Sequence, residues 1–419
     1  MYSVDLGNYF TKVHRRTTQS TEPIADQTGQ RLIPTSIRFA ESRNFAFQSS
    51  KSSTDFLFTA QTPPDFNNIY AFHCYLKKQL KLDQSVICTV PDYATIKLKL
   101  LYKSSLTPLY NFVQLIPASA AALSAFYFTY FGQLKTPLKA QILNVSETFS
   151  SNTVFEMQNG AISVLKHRIS AISAKNFDQI LAEISQIRSD KNIFEIKKTR
   201  KMLCVNSRGV LNAVERDCVV DQATYLNAGS GLVNQLFAEL QCENVLVECV
   251  GGGSRDILIQ NYLQKGNFNV KKRLNADECF AHGALLYSGM VASGTLKIDF
   301  MAQNTVEIRL SSGGKDYSNV VVIEQNVTRL PAAFEISLQI QSKSHVQILS
   351  QNFIIRVYEY LGHSGRQNNV KVACDINGEV EIKSDKFNEI FSYQEPGFIE
   401  GLVEFERQAV EKDKQSGME

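Results

Sequence analysis

Val4 and Leu6 open the chain as alternating apolar positions, Gly7-Asn8 supplies a turn, and a second apolar segment runs from Phe10 to Val13. That pattern predicts strand, turn, strand, and it recurs in form at residues 143–149. Ser85-Val86-Ile87-Cys88-Thr89-Val90 is a continuous run closed by Pro91. Ile142-Leu143-Asn144-Val145 and Val245-Leu246-Val247-Glu248-Cys249-Val250 repeat it. Such runs read as strands buried on both faces. Residues 176–188 and 196–203 carry apolar positions at helical spacing, with Lys and Arg on the polar side. Buried strands alternating with helices predict an α/β domain. Residues 31–39 read as an irregular strand entry, and the Ser/Thr-rich stretch 42–66 as a surface excursion.

After about Gly294 the period shortens to two. Val306, Ile308 and Leu310 alternate with polar residues, as do Val346 and Ile348, Val370 and Val372, Val380 and Ile382. Ser312-Gly313-Gly314 and Asn377-Gly378 separate such runs, which predicts a small antiparallel β domain. Residues 398–414 are helical in pattern and strongly charged, with Phe398, Leu402, Phe405 and Val410 along one side. Residues 104–134 hold no charged side chain. Pro117, Ser119, Ser124 and Thr129 keep their hydropathy below that of a membrane span, so a buried strand running into a buried Ala-rich helix is expected.

Composition narrows the class. The 419 residues are 44% hydrophobic and 20% charged, with a net charge of +3. This fits a globular chain of two or three domains with no footprint for nucleic acid. The basic run at 197–201 spreads over several helical faces and reads as a solvated surface partly facing a cleft. Eight cysteines include no C-x-x-C pair, and the six histidines include no metal-ligand spacing. Neither a zinc site nor a disulfide framework is expected. Two sequons, at Asn144 and Asn326, read as chance matches. No apolar leader follows Met1, so a cytoplasmic location is expected, with the endoplasmic-reticulum lumen as the alternative if a native signal peptide is missing.

The order of segments resembles the heat shock protein 70 (DnaK) family over nearly the whole chain. Val4-Asp5-Leu6-Gly7 is similar to the family's first phosphate loop, Arg31-Leu32-Ile33-Pro34-Thr35-Ser36 to its strand entry, and Pro117-Ala118-Ser119-Ala120-Ala121-Ala122 to its Ala-rich helix. The most specific piece is Val250-Gly251-Gly252-Gly253-Ser254-Arg255 with Ile259-Gln260, which resembles the adenosine loop. Asn275-Ala276-Asp277-Glu278 follows at the family's spacing. Asn326-Val327-Thr328-Arg329-Leu330-Pro331, Ile355-Arg356-Val357-Tyr358-Glu359 and Asp375-Ile376-Asn377-Gly378-Glu379-Val380 resemble strands of its peptide-binding sandwich. The joint at residues 295–300 lacks the usual acidic, Leu-rich linker. It looks more like the divergent branch, the 110- and 170-kDa heat-shock relatives that act as nucleotide-exchange factors.

The resemblance implies an actin-like (ribonuclease H-like) two-lobed nucleotide-binding domain at 1–293, a linker at 294–303, a β-sandwich at 304–392 and a truncated lid helix and tail at 393–419. It also implies that the hydrolytic set is largely lost. Asp5 and Gly7 remain, but Asn8 and Tyr9 stand where the family has two Thr, and a Tyr ring there crowds the phosphate. The second phosphate turn falls on residues 144–150 without its Asp and Gly positions, and Glu147 places a negative charge there. Ile116, or Pro117 if the register shifts by one, stands in place of a catalytic Glu, and the lobe carrying the catalytic Lys is shortened. On the adenine side Gly251, Gly252, Gly253, Ser254, Arg255 and Asp277 are in place, and Arg200 and Lys201 could flank base and ribose. Two readings of the three glycines stand: residual nucleoside binding, or a tight turn needed only for packing.

The implied function is a pseudo-ATPase co-chaperone. It would dock an active heat-shock-70-type chaperone, promote ADP release and hold unfolded polypeptide. The alternatives are a slow ATP-dependent foldase and a non-hydrolysing scaffold subunit of a ribosome-associated complex. ATP or ADP would bind weakly, with no metal beyond nucleotide-associated Mg²⁺, no nucleic acid and no membrane span.

Overall fold

The structure is a computed structural model. It describes residues 1–7, 9–17, 20–39, 43–46, 55–56, 66–82, 85–131, 137–213, 216–301, 306–312, 315–323, 329–339, 344–350, 353–360, 367–375, 380–383, 387–392 and 398–415. Asn8, the glycine turns at 313–314 and 377–378, and the sequon at Asn326 lie outside these residues.

Alternation in the first segment becomes a hairpin of β1 (Tyr2–Leu6) and β2 (Phe10–Arg16), extended by β3 (Thr21–Ile24) and the two-residue β4 (Ile33–Pro34). After helix α1 (Phe66–Leu80), the run ended by Pro91 forms β5 (Ser85–Val90), parallel to β1. Helix α2 (Ile96–Leu106) then returns the chain to β6 (Phe112–Pro117), parallel to β5. Pro117 ends β6 and leads directly into α3 (Ala118–Tyr130), the buried strand-to-helix passage predicted for the uncharged stretch. Among the described residues no helix is long and apolar enough to cross a membrane.

A second sheet repeats this order. β7 (Leu138–Val145), β8 (Ser150–Gln158) and β9 (Ala161–Ser170) form an antiparallel meander. Helices α4 (Ala174–Ser185) and α5 (Ser189–Leu203), a hairpin of β10 (Arg208–Asn212) and β11 (Asp217–Asp221), and α6 (Gln222–Leu240) follow. Then β12 (Leu246–Val250) pairs parallel with β7. After α7 (Ile257–Lys265), β13 (Asn269–Lys271) pairs parallel with β12, and α8 (Cys279–Ala292) returns the chain to the middle of the molecule. In each half, the first strand of a meander also pairs in parallel with a later strand. The recurrence read at residues 143–149 is thus part of a larger structural repeat.

Helices α3 and α8 are buried around most of their surface and share one core with Ile87 and Ile116 from the first sheet and Ala140 and Ile142 from the second. Their approach depends on Gly283, where a Cβ would stand 1.9 Å from the Ala121 carbonyl oxygen. Ser3 Oγ donates to Ala281 O at 2.6 Å and ties α8 to β1.

The segment expected to be a linker is instead part of the sheet. β14 (Lys297–Met301) pairs parallel with β9, and Arg329–Leu330 pairs with β14 in turn. Leu296, Ile298 and Phe300 are all buried. Their period of two was the available signal; a strand this short is fixed by its partners on either side more than by its own sequence. Beyond it, the predicted β unit forms two antiparallel sheets, one built on Val306–Ser312, Ser344–Ser350 and Phe353–Tyr360, the other on Ala332–Gln339, Gln367–Cys374 and Val380–Lys383. The alternating residues read from the sequence, from Val306 to Ile382, form its core, joined by Ile96 of α2. The charged C-terminal segment is α9 (Phe398–Gln415) and packs on α1. Arg43 holds it, with Nη1 2.7 Å from Glu406 and Nε 2.9 Å from Asp413. The structure is therefore a mixed α/β body joined to an antiparallel β unit.

Candidate functional site

The two hairpin loops, β1–β2 and β7–β8, open onto one cleft of about 220 Å³ between the sheets. Asp5, Gly7 and Tyr9 line it from the first loop, and Ser146, Glu147 and Phe149 from the second. The turn after β12 brings Gly251, Gly252, Gly253 and Arg255 to its rim, the segment before α8 adds Asp277, and α5 contributes Lys197, Arg200 and Lys201. Of the sequence-predicted set only Ser254 is not in the wall. It is buried, and its hydroxyl donates to Gly251 O at 2.8 Å.

Geometry separates the three glycines. Gly251 has φ +81°, and a Cβ there would meet Asn144 Oδ1 at 2.5 Å; at Gly253 it would meet Val145 Cγ1 at 2.8 Å. These two are packing glycines. A Cβ at Gly252 would have only Asp277 Oδ1 near it, at 4.0 Å, so the backbone there is open for a ligand to approach. Arg255 and Asp277 form a two-pronged pair at the mouth, Nη1–Oδ2 2.6 Å and Nη2–Oδ1 2.8 Å.

Arg200 does not reach out as a free arm. Its Nε lies 2.7 Å from Asp178 Oδ1, and its Nη1 donates to Asp256 Oδ2 at 3.0 Å. Tyr225 also donates to Asp256, at 3.2 Å. Burial works against the guanidinium charge, but Asp178 and Asp256 outweigh it and raise its pKa. Asp256 in turn caps α7 by accepting from Leu258 N at 2.9 Å, which locks the rim to the floor. Lys201 is exposed beside this network, and no carboxylate partners it among the described residues.

At the far end stand groups the sequence reading left out. Lys12 is the direct cross-strand partner of Asp5 in the hairpin register, and its Nζ donates to Asp5 Oδ2 at 3.1 Å. Thr89 Oγ1 donates to Asp5 Oδ1 at 2.6 Å. Lys197 Nζ donates to both oxygens of Glu147 at 2.9 Å, pairs with Asp178, and lies 4.1 Å from the centre of the Tyr9 ring. Tyr9 therefore does not swing out; burial first, then Glu147 and Asp178, hold its hydroxyl well above its usual pKa. Burial also pushes the Glu147 carboxyl up, against the pull of Lys197. The charge read at Glu147 is thus answered by Lys197, from the basic run read as a solvated surface partly facing a cleft. Lys198 keeps that character, at 58% side-chain exposure.

Three backbone donors around the cleft are already used. Ala174 N and Lys175 N at the start of α4 donate to Ser146 O and Glu147 O, and Gly251 N donates to Ala276 O at 2.9 Å. Ile116 is fully buried and offers no acid. Among the described residues no group of three or more His, Cys, Asp or Glu side chains is placed to hold a metal ion. A scan against protein-family models matches none, and no curated protein is significantly similar to the chain.

Proposed function

We propose that this chain is a degenerate member of the heat shock protein 70 group, a non-hydrolysing co-chaperone built on two actin-like lobes. One observation carries the reading. Asp5, Gly7, Arg200, Lys201, Gly251–Gly253, Arg255 and Asp277 are remote in sequence and line one cleft, which supports the nucleotide-site reading that the resemblance implies. Chemistry at the far end supports loss of hydrolysis. Phosphoryl transfer needs positioned cations and Gly-rich amide cradles, whereas here the carboxylates are matched by internal lysines and the helix-start amides by carbonyls. Docking to an active chaperone needs a shaped body and no turnover, so that function tolerates these losses. The antiparallel β unit beyond residue 304 would hold extended polypeptide.

The test uses an active heat-shock-70-type chaperone loaded with fluorescent ADP. Adding the purified chain is expected to accelerate ADP release, with no ATP turnover of its own. Turnover without accelerated release supports the slow foldase, and neither effect supports a scaffold. ATP cleavage at a chaperone-like rate, abolished by Asp5→Asn, overturns the proposal.

A further inference from the structure

We propose that the cleft takes a nucleoside bearing at most one phosphate, and takes it without a divalent cation, because lysine ammonium groups of the chain occupy the carboxylates that such a cation would need. This inference rests on the reading of the cleft as a nucleoside site.

Mg²⁺ at a nucleotide site is held by one or two carboxylates together with phosphate oxygens, and it demands near-octahedral oxygen geometry. Three carboxylates line this cleft: Asp5, Glu147 and Asp277. Asp5 is bonded by Lys12 on one oxygen and Thr89 on the other, with the Lys12 and Asp5 side chains only 15% and 14% exposed. Both oxygens of Glu147 accept from Lys197, whose side chain is 14% exposed. Asp277 is matched by both terminal nitrogens of Arg255. A dication at any of them would sit beside a cation already at contact distance, and the further carboxylate beside Glu147, Asp178, is itself taken by Lys197 and Arg200. Exposed pairs exchange partners freely with solvent ions, but half-buried ones resist, because each partner that leaves strands the other. Asp5 and Glu147 therefore do not fit Mg²⁺, and Asp277, in a more exposed pair with Arg255, offers it a lone carboxylate at the mouth.

Charge also limits the length of the ligand. Apart from those pairs, the cleft offers Lys201 as a cation with no carboxylate partner among the described residues, enough for one phosphate group. A triphosphate stripped of its metal brings several charges, and its end would face Glu147 and the Tyr9 ring. Arg200 cannot turn to help, since it is buried against Asp178 and Asp256. The 220 Å³ of the cleft is likewise small beside the ~300–1,000 Å³ of sites that engulf larger ligands.

Calorimetric titration of the whole chain with adenosine, adenosine monophosphate and ATP, each in Mg²⁺ and in EDTA, tests this. Adenosine and its monophosphate are expected to bind with affinities equal within about two-fold in the two buffers, and ATP about ten-fold or more weaker in both. A ten-fold gain on adding Mg²⁺, or Mg²⁺-ATP binding tighter than the monophosphate, overturns the inference while leaving the cleft a nucleoside site. No binding of any of the three removes both. Lys12→Met, checked for folding by circular dichroism, should make ATP binding rise about ten-fold with Mg²⁺. A folded variant still indifferent to Mg²⁺ sinks the role given to Lys12, and if it does not fold the unmodified chain decides alone.

Discussion

Gly251 and Gly252 are neighbours under opposite constraints. Gly251→Ala forces a side chain onto φ +81° and into the Asn144 and Val145 oxygens, so a loss of about 2–4 kcal/mol is expected from strain and overlap together. Gly252→Ala meets open space and should leave stability within about 0.5 kcal/mol. Denaturant titration of the pair checks this, and equal losses would contradict the assignment of the two glycines. Histidine makes the second residue-scale prediction. Burial lowers the pKa of His73 to about 3 and that of His14 to about 4, with His282 adding to the latter, and burial also depresses His167 and His282. A histidine depressed in the folded state takes up protons only on unfolding as pH falls below its usual 6.5. Stability held above that pH is therefore lost progressively down to about pH 3–4, at ~1.4 kcal/mol per pH unit for each such histidine. Glu147 and Asp256, raised by burial, act the other way as pH falls from their raised pKa to the ordinary carboxylate value. Unfolding free energies at pH 7, 6 and 5 should fall in that order, and His73→Leu should flatten the slope. A flat profile in the unmodified chain would rule the account out.

Helix α9 shows what a pattern says and leaves unsaid at the scale of an element. Its apolar spacing predicted a helix at residues 398–414, and Leu402 is buried as that face requires. Val410, on the same predicted side, is 37% exposed. What fixes the helix on α1 is Arg43, which reaches Glu406 and Asp413 with its guanidinium and Asp413 Oδ1 with its backbone N–H at 2.8 Å. No local period announces a pair separated by 363 residues. With Arg43 only 6% exposed and its partners at 15% and 20%, Arg43→Ala should cost about 2 kcal/mol, between the exposed-pair and buried-pair limits. Amide exchange in residues 398–415 should quicken while the β7–β8 meander stays protected. Unchanged exchange in α9 would show that the pair does not hold it.

For the whole molecule, the joint between the α/β body and the β unit includes Ile96, buried at the head of α2 within the core of strands 306–382, beside Leu100 and the pairing of Arg329–Leu330 with β14. An Asp at a first helical position suits the helix dipole, so Ile96→Asp leaves α2 intact and strips the apolar contact. The β unit is then expected to separate, with a larger radius of gyration by small-angle scattering and faster exchange along α2. A scattering curve identical to that of the unmodified chain would show that the contact is dispensable.

Sequence alone was enough for the α/β body, the later antiparallel unit and the terminal helix. Continuous apolar runs, period-two alternation and helical spacing are local consequences of which faces must be buried. It also supplied the residues of the rim, since Gly251, Arg255 and Asp277 sit in short recognisable stretches. Tertiary structure decided the rest of the cleft. Lys12 meets Asp5 only through hairpin register, and Lys197, from a run read as only partly facing a cleft, is drawn in because α4 and the β7–β8 loop present Asp178 and Glu147 to it. Charge pairing across strands and helices depends on distances that no window along the chain contains, so the character of the site emerged only once the chain was folded.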